Sequence, residues 1–372
     1  MNKLSNHLFA LILLFSLLAG CSEKEISNPP NQPGIDEPGH SVNNERDEKV
    51  NFKLPINFDS KGDNRIVSFF DDESLLYTTH YKDYSVVQTY HLISGEHQTL
   101  HTFQEAIGQV VVNEQLSTIL VVSYPTSYEA KFTYMNRMGE IIFEQSYEAF
   151  DFEIKWNPFN EEELLVTSFF EDWTFTSEVV NVKEKSYTIV QTNQPFMFWT
   201  GENELAYIDY MKDVWSITGD LVVQTINEEA KRIILTNVYY VDTSKDQIFA
   251  ITMGDASSDI ATYQILNSDY EVVASAQFEQ LSSYADWYIP NYEFLGGNQF
   301  AIFKPNATGM LDEYESGFQL IIIDGQEIKE IKEFQVPLPL KASPNGQFSL
   351  VGYDLEQLID LKEHTIVDLF KK

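Results

Sequence analysis

The residues with the most specific chemistry lie near the start of the chain. Leu18-Ala19-Gly20-Cys21 follows an apolar run that begins at Leu8, and Lys3 is the one charge before it. A run of this length is typical of a signal peptide and is too short to cross a membrane as a helix. Small residues before a cysteine fit a lipoprotein signal peptidase, and the thiol can take a diacylglyceryl group as a thioether. The sequence therefore predicts a signal peptide over residues 1–20 and a lipid on Cys21.

Cys21 is the only cysteine in the 372 residues. An ordinary secreted protein with a chance cysteine is the alternative, but the box, the apolar run and the position agree on a lipoprotein. A lipidated Cys21 leaves no thiol for a disulfide, for catalysis or for a metal. We therefore expect the mature chain at the extracytoplasmic face of the cell membrane, anchored by its lipid.

Other catalytic and metal-binding patterns are weak. The chain has no G-x-S-x-G nucleophile motif and no glycine-rich phosphate loop before a helix. His91, His97 and His101 could meet on neighbouring strands as a zinc site, but no carboxylate at ligand spacing completes the set, which favours scattered surface histidines. The acids of 255–259 fit a solvated turn better than a calcium loop. We expect no metal and no cofactor.

Aromatic and acidic residues recur together between the predicted strands. Carboxylates beside aromatic faces suit sugars, which stack on rings, and cations, which bind ring faces. The alternative is that these aromatic residues only pack the strand ends. The candidate rim residues are Tyr84, Tyr124, Tyr128, Trp173, Tyr210, Trp287, Tyr314, Asp172 and Asp213.

The charge balance limits the partners. The chain has 57 acidic and 24 basic residues, a formal net charge of −33. Such a field repels nucleic acids and anionic lipid headgroups, and no basic cluster offsets it, so nucleic-acid binding is excluded. It favours cations, basic peptides or neutral ligands, although solubility alone also explains an acidic surface.

Two composition zones follow the signal peptide. Residues 22–50 are rich in Pro, Asn, Ser, Gly and Glu and have almost no large apolar side chains. Such a segment cannot bury enough surface to fold. Together with Cys21 it is predicted to be a disordered tether, over residues 21–50. From about residue 51, short runs of β-branched and aromatic residues alternate with polar turns, which predicts strands.

A repeat organises these strands. In each unit a polar turn precedes an apolar strand, and the units are 41 to 52 residues apart, close to the roughly 40–50 residues of a four-stranded propeller blade. The strands begin at Leu75, Ile119, Leu164, Leu205, Ile248, Phe300 and Phe348.

The sequence thus predicts an all-β chain with a single β-propeller of four-stranded antiparallel blades over residues 51–372. Neighbouring blades bury each other's faces, and a closed ring leaves only short edges. Counting hairpins gives seven blades, with six as the alternative because strands are easier to identify than their pairing. Two β-sandwiches are the main rival architecture, and the even repeat argues against them.

Four features of the sequence point to one known family. They are the box at Cys21, the Pro/Asn-rich tether and the turns WNPFNEEELLV (156–166) and ASPNGQFSL (342–350). In these features the chain resembles the YqgU-like propeller lipoproteins of Gram-positive bacteria. The resemblance covers about residues 50–372 and depends on architecture, with no catalytic signature. It implies a propeller, usually described as six-bladed, and a lipid-anchored location. It implies no activity.

Three functional hypotheses follow. The first is a non-enzymatic binding or scaffolding module for an envelope protein, glycan or peptide, which needs no catalytic set. The second is a cell-envelope glycan hydrolase or lyase with paired carboxylates on the rim, about 5–5.5 Å apart for retention or about 6.5–9.5 Å for inversion. The third, an adhesin or sensor-like accessory, differs from the first only in its partner. The sequence favours the first, with the membrane and an envelope protein, glycan or cationic ligand as partners.

Overall fold

The computed structural model describes residues 51–113, 115–211, 216–254, 259–284 and 286–371. These ranges contain thirty β-strands and one 3-10 helix, at Leu311–Glu313. Almost every strand pairs antiparallel with the strand before and after it, so the all-β prediction is confirmed. The predicted signal peptide, Cys21, the tether and the candidate Asp213 lie outside the described residues.

The first three sheets each contain four consecutive strands. The first comprises β1 (Asp63–Asp71), β2 (Ser74–His80), β3 (Ser85–His91) and β4 (His97–Phe103). The second comprises β5 (Ala106–Val112), β6 (Thr118–Thr126), β7 (Glu129–Asn136) and β8 (Ile141–Tyr147). The third comprises β9 (Asp151–Trp156), β10 (Glu163–Phe169), β11 (Phe175–Asn181) and β12 (Ser186–Val190).

A seven-stranded sheet follows, and one long strand lies at its centre. Its strands are β13 (Phe198–Gly201), β14 (Glu204–Asp209), β15 (Gly219–Thr225), β16 (Lys231–Thr243), β17 (Ile248–Met253), β18 (Ile260–Leu266) and β19 (Val272–Glu279). The first part of β16 pairs with β15 and the part from Val238 onward pairs with β17. Between them Asn237 has a φ of 56°, a left-handed conformation that interrupts the regular strand.

The last two large sheets again have four strands each, and a small sheet lies before them. The small sheet contains β20 (Leu281–Ser283), β21 (Asp286–Trp287) and β24 (Gly309–Met310). The next sheet contains β22 (Tyr292–Gly296), β23 (Gln299–Pro305), β25 (Phe318–Asp324) and β26 (Glu327–Phe334). The last contains β27 (Leu340–Ala342), β28 (Phe348–Val351), β29 (Gln357–Asp360) and β30 (Thr365–Asp368).

The strand repeat read from the sequence corresponds to real strands. All seven predicted starting residues lie within the first two positions of a second strand, in β2, β6, β10, β14, β17, β23 and β28. All seven side chains are buried. The polar turns before them connect each first strand to its second, so the sequence placed these hairpins correctly.

Six of the seven hydrophobic clusters of described residues are each shared by two large sheets, and the seventh lies within the seven-stranded sheet, between β14–β15 and β16–β18. Between the second and third sheets, Phe132 packs in one cluster with Trp156. The same arrangement recurs along the chain, and a final cluster joins Leu350 of the last sheet to Leu75 of the first. Mutual burial of apolar faces therefore closes the sheets into a ring, as a propeller requires.

Hydrogen bonds between successive first turns reinforce this ring. Asn157, fully buried in the β9–β10 turn, donates through Nδ2 to the carbonyl of Glu202 in the β13–β14 turn at 3.1 Å. Its Oδ1 accepts from the backbone of its own turn. At the ring's closure the Asn345 N–H donates to the Asp72 carboxylate at 2.9 Å. The turns thus contribute hydrogen bonds to the contact between sheets.

The segment before β1 covers the junction of the first and last sheets. The ring of Phe58 lies 5.0 Å from that of Tyr77 on β2 and 5.3 Å from that of Phe370 after β30, measured between centroids. The Ile56 N–H donates to the Leu369 carbonyl at 2.6 Å. Among the described strands none is exchanged between these two sheets, so side-chain packing and this segment close the ring.

Candidate functional site

An open cleft of about 970 Å³ lies between the second and third sheets. Three chain segments form it, namely the β6–β7 turn, the connection from β8 to β9 and the β10–β11 turn. Its volume is at the upper end of the roughly 300–1,000 Å³ of ligand pockets. The aromatic and acidic side chains among its walls are Tyr128, Glu129, Glu148, Phe150, Phe170, Glu171 and Asp172.

Local hydrogen bonds fix the β10–β11 turn at the edge of the cleft. The Asp172 carboxylate accepts from the backbone N–H of Thr174 at 3.1 Å and from its hydroxyl at 2.6 Å. These bonds stabilise the carboxylate and hold the pKa of Asp172 below its usual range. Between these two residues Trp173 has a φ of 66°, and its side chain is 96% exposed. The turn therefore places an indole in solvent next to an ionised carboxylate.

Exposed aromatic side chains line the cleft, and another lies against the end of β10 beside it. Tyr128 and Phe150 line it and are each 74% exposed. Phe196, 59% exposed, packs on Phe169 at the end of β10 with the two ring centroids 5.7 Å apart. Large apolar side chains left in water this way mark an interaction surface when they occur together.

The cleft has carboxylates but no cation among its lining residues. Within the described part of the chain, Glu148 and Glu171 have no hydrogen-bond or ion-pair partner for their side chains. Lys131, on β7, instead pairs with Glu144, the Nζ and Oε1 atoms being 2.7 Å apart. The surface is therefore both aromatic and negatively charged.

Three of the candidate rim residues lie close together here. Tyr128 and Asp172 line the same cleft, and Trp173 lies on its edge turn. The sequence did not single out Phe150, which lies in the connection between β8 and β9. Its signal was available in the run Tyr-Glu-Ala-Phe-Asp, which repeats the pairing of aromatic and acidic residues.

Tyr210 and Trp287 meet elsewhere on the ring, around Tyr239. The Tyr239 hydroxyl donates to the Trp287 carbonyl at 2.7 Å and accepts from its N–H at 2.9 Å. Burial and the nearby Asp286 raise the pKa of both Tyr210 and Tyr239. Trp287 is thus held by its backbone and only half-exposed, which makes it a weaker binding candidate than Trp173.

The remaining candidates are engaged locally. Tyr84 stacks on Tyr81 with the ring centroids 4.6 Å apart. The ring of Tyr124 lies against Gly108, where a Cβ would come within 2.3 Å of it. The hydroxyl of Tyr314 accepts from the N–H groups of its own loop and donates to the Gly317 carbonyl at 2.8 Å. The structure does not bring these three together.

The sequence analysis did not identify a polar cluster that joins the strands β9, β16 and β22. Lys155 on β9 lies between Glu153, 3.3 Å away, and Asp242 on β16, 3.8 Å away. Tyr292 on β22 donates to the same Asp242 carboxylate, and its hydroxyl lies 2.7 Å from that of Tyr240. These groups form hydrogen bonds and ion pairs with one another across different sheets. The alternation of Glu153 and Lys155 along one strand was the signal for it.

A second ion pair lies on the inner strands, between Glu293 on β22 and Lys341 on β27. The Nζ and Oε2 atoms are 3.5 Å apart. Burial raises the pKa of Glu293, and the adjacent carboxyl raises the pKa of Lys341. The pair therefore links the last two large sheets.

The three histidines of the possible zinc site have different partners. His97 Nδ1 lies 2.8 Å from the Tyr77 hydroxyl, His101 Nδ1 lies 3.3 Å from a backbone carbonyl, and His91 Nε2 lies 3.6 Å from a Glu73 carboxylate oxygen. The described residues contain no group of three or more metal-ligating side chains. None of the helices in the described ranges is long and apolar enough to span a membrane.

The chain is similar to two proteins of undefined activity. It is 25% identical over 297 residues to the uncharacterized lipoprotein YqgU of Bacillus subtilis (strain 168), covering 80% of this chain and 81% of that protein. Its fold is similar to that of the uncharacterized protein lmo1340 from Listeria monocytogenes EGD-e, with a TM-score of 0.78 and 18% identity over 85% of this chain and 96% of the other.

A more distant similarity extends to the β-propeller domain of the Trilobed protease from Pyrococcus furiosus. The TM-score is 0.55 at 11% identity, covering 83% of this chain and 98% of that domain. At such identity the similarity concerns the fold alone. Residues 91–352 match the family model described as the YqgU-like 6-bladed beta propeller domain. This chain therefore belongs to the YqgU-like β-propeller family.

Proposed function

We propose that this protein is a lipid-anchored extracytoplasmic lipoprotein whose propeller is a non-enzymatic binding or scaffolding module for an envelope protein, glycan or peptide. The partner binds in the cleft between the second and third sheets. The observation that carries the proposal is the combination there of exposed aromatic faces with two carboxylates, those of Glu148 and Glu171, that have no partner among the described residues. A surface optimised only for solubility would leave aromatic side chains out of such a position.

The anchor is the lipid on Cys21. Its support is the box Leu18-Ala19-Gly20-Cys21 behind an apolar run, together with the lipoprotein name of the Bacillus subtilis relative. Residues 1–20 are then the signal peptide, 21–50 the lipidated tether and 51–372 the propeller domain. Metabolic labelling with an alkyne-tagged palmitate tests this, because Cys21→Ser should abolish the label.

We also infer seven blades, although the family description gives six. Five of the large sheets have four strands, and the seven-stranded sheet divides at Asn237 into two units that share β16. The lower count follows if the seven-stranded sheet is counted as a single blade.

The cleft favours binding over hydrolysis. A general acid needs a carboxyl whose pKa is raised, whereas hydrogen bonds to Thr174 lower that of Asp172. Glu293, whose pKa burial does raise, lies against Lys341 on the inner strands. The paired-carboxylate alternative therefore has no support in the cleft.

In-cell crosslinking of the lipidated protein, followed by mass spectrometry, tests the binding role. The test variant combines Tyr128→Ala with Phe150→Ala. The control combines Tyr187→Ala with Tyr353→Ala, which removes two exposed aromatic side chains away from the cleft. A partner lost with the test variant and kept with the control supports the proposal. Equal capture by both variants contradicts it.

A further inference from the structure

Several of the chain's own lysine and arginine side chains lie close to both an aromatic ring and a carboxylate. The guanidinium of Arg137 lies 3.9 Å from the ring centroid of Phe70 and 3.0 Å from the Asp71 carboxylate. Lys231 lies over Tyr207 at 5.1 Å, and its Nζ is 3.1 Å from the Asp209 carboxylate.

Two further cations are placed similarly. Arg232 lies over Tyr270 at 4.5 Å with the Glu204 carboxylate 4.0 Å away. Lys155 lies over Phe198 at 4.9 Å beside its two carboxylates. In all four places one positive charge lies against both an aromatic face and a carboxylate. The ring quadrupole and the ion pair therefore both stabilise the cation.

The cleft between the second and third sheets has the aromatic face and the carboxylate but lacks the cation. Phe150 and Tyr128 supply the rings, and Glu148 and Glu171 supply carboxylates without partners in the described residues. No described lysine or arginine lines the cleft, and the 24 basic residues of the chain are far fewer than its 57 acidic ones. A partner can supply the missing positive charge.

We propose that the cleft binds a basic polypeptide segment, with lysine or arginine side chains inserted between its aromatic faces and its carboxylates. This rests on the proposed binding function and specifies the partner's chemistry. The cleft is wide enough for more than one side chain, which suits an extended segment better than a single ion. The net charge of −33 also attracts such a segment before contact.

Fluorescence anisotropy of the full-length lipidated protein in detergent tests the proposal. The probe is a short fluorescein-labelled Gly-Arg repeat peptide, and a Gly-Glu peptide is the negative probe. The test variant combines Glu148→Gln with Glu171→Gln. The control combines Glu271→Gln with Glu363→Gln, which removes the same charge from exposed turns between third and fourth strands.

We expect the Gly-Arg peptide to bind and the test variant to weaken it about tenfold, since each lost ion pair and its ring contact contribute modestly. The control should change affinity less than about twofold. Equal weakening by both variants overturns the proposal, because attraction is then a property of the whole surface. Absence of Gly-Arg binding, or binding of a wall-glycan oligomer in the cleft instead, also overturns it.

The two proposals fail separately. If Tyr128→Ala/Phe150→Ala abolishes partner capture in cells but no Gly-Arg peptide binds, the cleft is a binding site of a different chemistry. If the Gly-Arg peptide binds in the cleft but partner capture in cells does not depend on it, the cationic site stands and the proposed role in capture is wrong.

Discussion

Lys155 on β9 of the third sheet and Asp242 on β16 of the seven-stranded sheet form an ion pair, with the Nζ and Oδ1 atoms 3.8 Å apart. The strands β10 to β15 lie between these two in the chain. The pair therefore bridges inner strands that share no backbone hydrogen bonds and depends on side chains alone.

Lys155→Met should destabilise the propeller by about 1–2 kcal/mol, less than a fully buried pair because both side chains are partly exposed. The substitution keeps the apolar stem against Phe198 and leaves Asp242 without its cation. Urea unfolding followed by tryptophan fluorescence measures the change. In a cycle with Asp242→Asn, the double variant should lose less than the two single losses added together, and strict additivity would mean that the two side chains do not interact.

Asn157→Ala should destabilise the protein by about 2 kcal/mol, because the Glu202 carbonyl and the turn N–H groups lose their partner, the fully buried Asn157 amide. Asn136→Ala is the matched control, since this residue makes similar bonds within an exposed turn of β7–β8. Thermal unfolding compares the two. Equal shifts in Tm would show that the bond between sheets adds nothing beyond the turn itself.

Phe58→Ala should cost about 1–2 kcal/mol, roughly half of a core phenylalanine, because the ring is half-buried between Tyr77 and Phe370. Phe150→Ala removes the same ring from a 74% exposed position and should change stability by less than about 0.5 kcal/mol. Urea unfolding of both variants is the measurement. A loss from Phe150→Ala as large as that from Phe58→Ala would contradict the role of the segment before β1.

Acid should destabilise the protein through His97. Burial beside Tyr77 and Tyr90 lowers the pKa of His97 below its ordinary value, so the folded state favours the neutral ring. The folded pKa is below the unfolded one, so this stability is present above about pH 6.5 and is lost as pH falls through the folded pKa.

Denaturant unfolding between about pH 7.5 and pH 5 measures this loss. His97→Gln should flatten the decline without removing it, because burial also lowers the pKa of His80. An unchanged decline in the variant would show that His97 is not responsible.

Trp173→Gly should stabilise the fold by up to about 1 kcal/mol while weakening partner capture. Its φ of 66° strains a residue that has a Cβ, and the 96% exposed indole gains little from packing. Lys185→Gly is the control, since Lys185 has a φ of 53° in an exposed turn away from the cleft. It should give a similar gain in Tm with capture unchanged. Loss of capture in both variants would mean that the indole is not the cause.

The strand repeat was predictable because burial imposes it on the residue types. Leu75, Leu164 and Phe300 open second strands that are covered on both sides by neighbouring sheets. A polar turn must precede each of them to reverse the chain. Such local constraints recur in every unit and can be read from a single sequence.

The candidate cleft was predictable only in part, because it depends on which segments the ring brings together. Tyr128 and Asp172 are 44 residues apart in the chain and line one cleft, while Tyr314 turns its hydroxyl into its own loop. The inner network of Lys155, Asp242 and Tyr292 likewise joins residues from distant turns of the repeat. Residue type indicates chemistry, but distance in space comes from the closed ring.

The first and last sheets do not exchange a described strand, and this has a consequence for the order of folding. These two sheets are each made from one continuous stretch, so during synthesis the first sheet can form long before the last. The face of the first sheet around Leu75 must stay uncovered until Leu350 and Phe370 have been made. The bond between Asp72 and Asn345 joins residues 273 positions apart. Such long loops close slowly, so ring closure is expected to be the last and slowest step in folding.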